Sequence, residues 1–199
     1  TQAALFEVME ERQVTIDGQQ FDMEAPYIVL ATQNPIEQEG TYRLPEAQLD
    51  RFLFKIEIDY PNLANEIEIL TRESARWGAS VDEVSAVLNA GDVQAFRSTV
   101  KQILVDDKLL QYIAQIVHLT RQNKDIYLGA SPRASIALLH GSRAFAAIQG
   151  RDFVTPDDIK FIAPSVLKHR IMLTPEKEME GATPHEVIDQ LVAKTEVPR

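Results

Sequence analysis

The chain has 199 residues, 45% of them hydrophobic and 25% charged, with no cysteine and a formal net charge of −10. That length and balance suit one sizeable globular domain or two small ones. They exclude disulfides, thiolate metal sites and thiol nucleophiles, and the acidic surplus argues against nucleic acid as a partner.

No apolar run approaches the ~20 residues that a bilayer span needs. The opening Thr1-Gln-Ala-Ala-Leu-Phe lacks the Met and basic stretch of a signal peptide and reads as a helix entered partway. The expectation is therefore the C-terminal part of a longer cytoplasmic protein.

Residues 2 to 12 read as a helix with Leu5, Val8 and Met9 on one face. Asp17-Gly18 then joins two β-capable runs, Gln13 to Ile16 and Gln19 to Met23. A two-residue turn needs positive φ at both positions, which this pair tolerates, so the spacing predicts a hairpin pairing Val14 with Phe21. Its apolar residues fall on one face. The hairpin either lies on its own core or projects to meet a partner or substrate, with Asp17 and Gly18 at the tip.

Tyr27-Ile-Val-Leu-Ala31 is apolar on both faces and reads as a buried central strand ending in polar Thr32-Gln33-Asn34-Pro35. Residues 34 to 51 form a polar connection with one helical turn near Pro45 to Leu49. Phe52, Phe54, Ile56 and Ile58 then alternate as a second strand. Tyr60-Pro61-Asn62 breaks the pattern and sets an expected boundary between residues 1–61 and 62–199.

Beyond it the pattern is helical almost throughout. Helices are expected over residues 65–77 with Gly78 after the end, over 81–89, from Asp92 to about 103, and over 106–123 with Leu109, Ile113, Ile116 and Val117 inward. Ser131-Pro132 caps and opens a helix running to Gly150. Thr155-Pro-Asp-Asp158 starts another, which Pro164 is expected to interrupt or restart, and Thr183-Pro-His-Glu186 caps a last one. The fold class is thus α/β followed by all-α. Two strands and a hairpin cannot bury Tyr27 to Ala31, so the missing strands must come from upstream or from another chain.

Four stretches occur together in this order: Thr1-Gln-Ala-Ala-Leu with Met9-Glu-Glu-Arg-Gln-Val-Thr-Ile; Ala31-Thr-Gln-Asn-Pro-Ile-Glu-Gln-Glu-Gly-Thr-Tyr; Leu44-Pro-Glu-Ala-Gln-Leu-Asp-Arg-Phe; and Gly129-Ala-Ser-Pro-Arg-Ala. Jointly they resemble the MoxR family of AAA+ ATPases over essentially the whole chain; Arg43, where the family is expected to have Pro, is a minor departure. The resemblance implies the end of an AAA+ core with its pre-sensor hairpin, then a helical lid.

It also implies roles for three polar residues. Asn34 matches sensor 1, a neutral amide that orients the attacking water or holds a γ-phosphate oxygen. Without the resemblance, Asn34 caps the turn before Pro35. Arg51 matches the arginine finger, which acts in trans and is worth roughly 10³ to 10⁵ in rate where measured. The plain alternative is a surface ion pair between Asp50 and Arg51. Arg133 matches sensor 2, a nucleotide-binding residue. A cation in the first turn of a helix opposes the helix dipole, which itself suggests an anionic partner; the alternative is a solvated arginine paired with Asp125 or another acid.

The sequence has no G-x-x-x-x-G-K-[ST] and no Asp-Glu pair after an apolar strand, so the phosphate cradle and the Mg²⁺-holding acids are expected upstream. Alone, the chain is expected to bind neither ATP nor Mg²⁺ and to be inactive; the parent would use both. His118, His140, His169 and His185 have no paired ligand spacing, so no metal site is expected. Glu37, Glu39 and Glu46 read as a solvated loop face. The resemblance further implies a hexameric homo-oligomeric ring, ATP-driven remodelling of protein clients, and partners with von Willebrand factor A domains. Two other readings stay open: a non-enzymatic helical interaction module, and a related motor such as a magnesium chelatase ATPase subunit.

Overall fold

The structure, a computed structural model, describes residues 2–33, 45–75 and 84–197. Helix α1 (Gln2–Glu11) leads directly into the hairpin of β1 (Gln13–Ile16) and β2 (Gln19–Asp22). The register pairs Val14 with Phe21 and Ile16 with Gln19, and Asp17 and Gly18 both have positive φ, as the two-residue turn requires. Thr15 Oγ1 donates to Glu7 Oε1 at 2.5 Å and the Met23 amide to the Arg12 carbonyl at 2.7 Å, which fastens the hairpin to α1. Val14 is half-buried, while Ile16, Phe21 and Met23 on the same face are exposed, so among the described residues nothing covers most of that face.

Neither of the two expected core strands forms a β-ladder. Residues 27–33 carry no regular element, and Ile28 and Leu30 are 72% and 92% exposed. Residues 52–58 are likewise unpaired, with Ile56 and Ile58 exposed. A strand that is apolar on both faces needs pairing on its edges and helices above and below, and the described residues supply none of these. A short helix α2 (Glu46–Leu49) precedes residues 52–58, and α3 (Leu63–Ala75) follows, capped by the Asn62 side chain, which accepts from the Asn65 amide at 2.9 Å.

The expected helix at 81–89 is absent over residues 84–89; residues 76–83, with Gly78, lie outside the described residues. Helix α4 (Ala90–Gln102) starts earlier than expected. Asn89, not Asp92, is its cap. Asp92 is the third residue of a reciprocal capping box, its side chain accepting from the Asn89 amide while Asn89 accepts from its own.

The hydrophobic core lies in residues 103–192. Helix α5 (Asp107–Thr120) turns Leu109, Tyr112, Ile113, Ile116 and Val117 inward. Helix α6 (Pro132–Ile148) presents Ala134, Ala137, Leu138, Gly141 and Ala146, a run of mostly small residues that lets α7 (Pro156–Leu167) approach closely. A Cβ on Gly141 would sit 3.0 Å from Ile162 and 3.2 Å from the Phe54 ring, so Phe54 is packed into this junction. Helix α7 runs through Pro164 without restarting, held by buried Ile162, Ala163, Val166 and Leu167. Its start is fixed by Asp158, which is 2% exposed and accepts from the Thr155 amide (2.7 Å) and both terminal nitrogens of Arg151 (2.8 and 2.5 Å).

A small antiparallel pair, β3 (Ile126–Leu128) with β4 (Met172–Leu173), has no counterpart in the sequence reading, nor does α8 (Pro175–Met179). Helix α9 (Pro184–Lys194) has the expected capping box of Thr183 and Glu186 and closes the core with Val187, Ile188, Leu191 and Val192. Among the described residues no helix is long and apolar enough to cross a membrane.

Candidate functional site

The loop after β3 leads into α6 through Gly129-Ala130-Ser131. Gly129 lies against the C-terminal end of α5: a Cβ there would meet the Arg121 backbone at 2.7–2.8 Å. Arg121 Nε donates to the Ala130 carbonyl at 2.8 Å, and the Ala130 amide donates to Thr120 Oγ1 at 3.0 Å. The loop is therefore fixed before the helix begins. Ser131 Oγ caps α6 by accepting from the Arg133 amide at 3.2 Å, and Pro132 takes the first helical position. Arg133 consequently projects from the first turn of α6.

Arg133 pairs with acids other than Asp125, which is the other form of the plain alternative to a nucleotide role. Its guanidinium reaches Glu10, at the end of α1, at 2.5 Å and Asp50 at 3.8 Å. Arg51 also pairs with Glu10, through the same Oε1 atom. The two arginines thus converge on one carboxylate oxygen, although 82 residues of sequence separate them. The alternative pairing of Asp50 with Arg51 is not formed: the two side chains turn to different partners.

Asp50 is a hub rather than a partner of Arg51. Oδ2 accepts from Ser131 Oγ at 2.7 Å and Oδ1 from Arg170 Nε at 2.9 Å. Arg170, just past α7, is buried and also donates to the carbonyls of Asp50, Phe52 and Leu53. His169 Nε2 lies 3.0 Å from the Phe52 carbonyl. Burial pushes the His169 pKa down to about 4, and Arg170 beside it acts in the same direction. The ring is therefore neutral at pH 7, with Nε2–H donating to the carbonyl. Burial also pulls the Arg170 pKa down while the Asp50 carboxylate pushes it up; the guanidinium stays charged.

Of the residues singled out in the sequence, Arg51 and Arg133 are brought together. Asp17 and Gly18 form the hairpin tip, joined to the arginines only through α1. Asn34 lies outside the described residues. Glu10, Asp50, His169 and Arg170 complete the cluster. Glu10 and Asp50 lie within two of the quoted stretches, which gave neither a role; His169 and Arg170 lie outside all of them.

Chemically, the arrangement is a cluster in which two arginines are compensated by Glu10 and Asp50. Two guanidiniums share one carboxylate oxygen, the geometry in which a phosphate oxygen is also held. The described residues here offer cationic donors but no group of acids that could hold a divalent cation.

Comparison with known proteins places these features in context. Residues 1–54 match the model of the ATPase family associated with various cellular activities (AAA), and residues 118–191 match the AAA lid domain. Over its whole length the chain is 42% identical to the uncharacterized protein YeaC of Bacillus subtilis, covering 61% of it, and 38% identical to the chaperone MoxR1 of Mycobacterium tuberculosis, covering 54%. It is 28% identical to the magnesium-chelatase 38 kDa subunit of Acidiphilium rubrum over 95% of the chain and 54% of that protein. A crystal structure of a candidate ATPase from Cytophaga hutchinsonii superposes with a TM-score of 0.89 at 37% identity, over all of this chain and 62% of that one. The chain thus spans little more than half the length of the relatives it matches.

Proposed function

The chain belongs to the MoxR family of AAA+ ATPases, and on that premise we propose that it forms the finger-and-lid part of an ATP-hydrolysing ring that remodels protein clients. Residues 1–61 are then the end of the α/β core and residues 62–199 the lid. The observation that carries the reading is the convergence of Arg51 and Arg133 on a single acceptor oxygen. Glu10 stands where a phosphate oxygen would be received, and the two guanidiniums would hold it together.

ATP, when bound with Mg²⁺, would supply the γ-phosphoryl group, with ADP as the leaving group. The part of this chain is electrostatic: Arg51 stabilises charge on the γ-phosphate oxygens, Arg133 holds the same phosphate, and Asn34 orients water. Because Arg51 and Arg133 face one anion, the reading assigns both to one nucleotide, that of the neighbouring subunit, while Asn34 serves its own. A finger in trans requires a heterologous interface that closes into a ring. The exposed face of the hairpin, with Ile16 and Phe21, is the surface we assign to client or pore contact.

The test is Arg51→Ala in the full-length protein. Nucleotide binding is expected to persist while hydrolysis falls by roughly 10³ or more. Hydrolysis at the wild-type rate would place the finger elsewhere. Substituting Asp17 and Gly18 is expected to leave hydrolysis intact and impair client remodelling; unchanged remodelling would remove the hairpin from the account.

The magnesium-chelatase relatives match at lower identity, 28% or less against 38–42% for YeaC and MoxR1. No observation favours that reading or a purely non-enzymatic module over the MoxR-type assignment.

A further inference from the structure

Residues 50–53, which carry Arg51, form no β-ladder, so their backbone carbonyls have no strand partner. Arg170 supplies one. Its side chain is 3% exposed, and all three of its nitrogens are used. Nε donates to Asp50 Oδ1 at 2.9 Å, Nη2 to the carbonyls of Asp50 (3.0 Å) and Phe52 (2.5 Å), and Nη1 to the Leu53 carbonyl at 3.2 Å. Nη1 also donates to the Val166 carbonyl in the last turn of α7 at 2.5 Å. His169 adds its own bond to Phe52. The carbonyls on both sides of Arg51 are thus tied to a single side chain rooted in the lid. Asp50 extends the tie to the start of α6 through Ser131, two residues before Arg133.

We infer that Arg170 is a positioning residue for Arg51, locking the backbone around the finger to the lid so that Arg51 and Arg133 are presented as one unit. The chemistry explains why arginine stands there. A planar fork with five N–H donors can span several carbonyls and a carboxylate at once, which a single ammonium cannot. The consequence is mechanical: the tie at residues 50–53 makes finger placement follow lid placement. This rests on the reading of Arg51 as the finger.

The experiment uses the full-length protein with Arg170→Gln, Arg51→Ala and the double substitution, following ATP binding, KM, kcat and residual single-turnover hydrolysis. A displaced finger of about 1 Å corresponds to a loss of about 100-fold. The expected result for Arg170→Gln is a fall in kcat of that order with KM roughly unchanged. Arg170→Lys should behave similarly, because it keeps the charge but cannot span the acceptors. The double substitution should be no slower than Arg51→Ala alone.

The positioning role is overturned if Arg170→Gln keeps the wild-type kcat, if it shifts KM and kcat together as a general structural loss would, or if its effect multiplies with that of Arg51→Ala. Should Arg170→Gln fail to fold, His169→Ala decides: a smaller fall in kcat that vanishes in the Arg51→Ala background supports the inference, and an unchanged kcat overturns it. Failure of the finger reading is separately visible as wild-type hydrolysis by Arg51→Ala.

Discussion

Replacing Asp50 by Ala should loosen the finger segment from the lid. The Asp50 side chain accepts from Ser131 and Arg170 and lies within 3.8 Å of Arg133. Its removal leaves the buried Arg170 guanidinium without a counter-charge. Breaking a buried ion pair from one side costs roughly 3–5 kcal/mol. Arg170 retains its carbonyl acceptors, which favours the lower end, about 3 kcal/mol. The molecule can reduce that cost most easily by releasing residues 50–55 and letting water reach Arg170, while the core at residues 103–192 stays folded. The Lys55 amide, hydrogen-bonded across the junction to the Ser165 carbonyl at 3.0 Å, reports this release directly. About 3 kcal/mol corresponds to amide exchange faster by on the order of 100-fold at Lys55. Amides buried within α5 should change far less. Asp50→Asn, which keeps the shape but not the charge, should fall between. Exchange at Lys55 within about threefold of wild type in Asp50→Ala would refute the claim that Asp50 and Arg170 hold this segment.

Two further expectations follow from local geometry. His169 has its folded pKa lowered to about 4 from 6.5, so between those values the unfolded chain binds more protons and stability falls as pH drops through that window. The loss is at most about 3 kcal/mol, reduced by solvent screening of the half-buried ring, and His169→Gln should flatten denaturation midpoints between pH 6.5 and 4; an unchanged pH slope would contradict the neutral-imidazole assignment. Gly129→Ala should destabilise the chain by about 2 kcal/mol or more in urea denaturation, because the new methyl meets the Arg121 backbone, which cannot rotate away as a side chain would; wild-type stability would show that the approach is not as close as drawn.

What was legible in the sequence was local. The Asp17-Gly18 turn fixes the hairpin register because its conformational demand is met by two adjacent residues. Ser131-Pro132 and Thr183 to Glu186 start their helices because caps act within one turn. The error at α4 has the same scale: Asp92 looked like a cap because it is the far half of a box that Asn89 begins. Differences elsewhere have non-local causes. Tyr27 to Ala31 has the composition of a central strand, but a strand exists only with neighbours to pair with, and the described residues contain none. β3 and β4 are too short to leave a period-two pattern. At the site, Arg51 and Arg133 were visible through their motifs. The roles of Glu10, His169 and Arg170 were not legible, because they depend on folding that brings residues 10, 50, 133 and 170 together.

The central claim is that Arg51 acts on the nucleotide of a neighbouring subunit while Asn34 acts on its own. Mixing full-length Asn34→Ala and Arg51→Ala subunits tests it directly. Each variant alone should be nearly inactive. In a randomly mixed ring at equal ratio, roughly a quarter of the interfaces unite an intact Asn34 with an intact Arg51 from the next subunit. ATP hydrolysis recovering toward that fraction is the predicted result; a mixture no more active than its separate components would contradict the account.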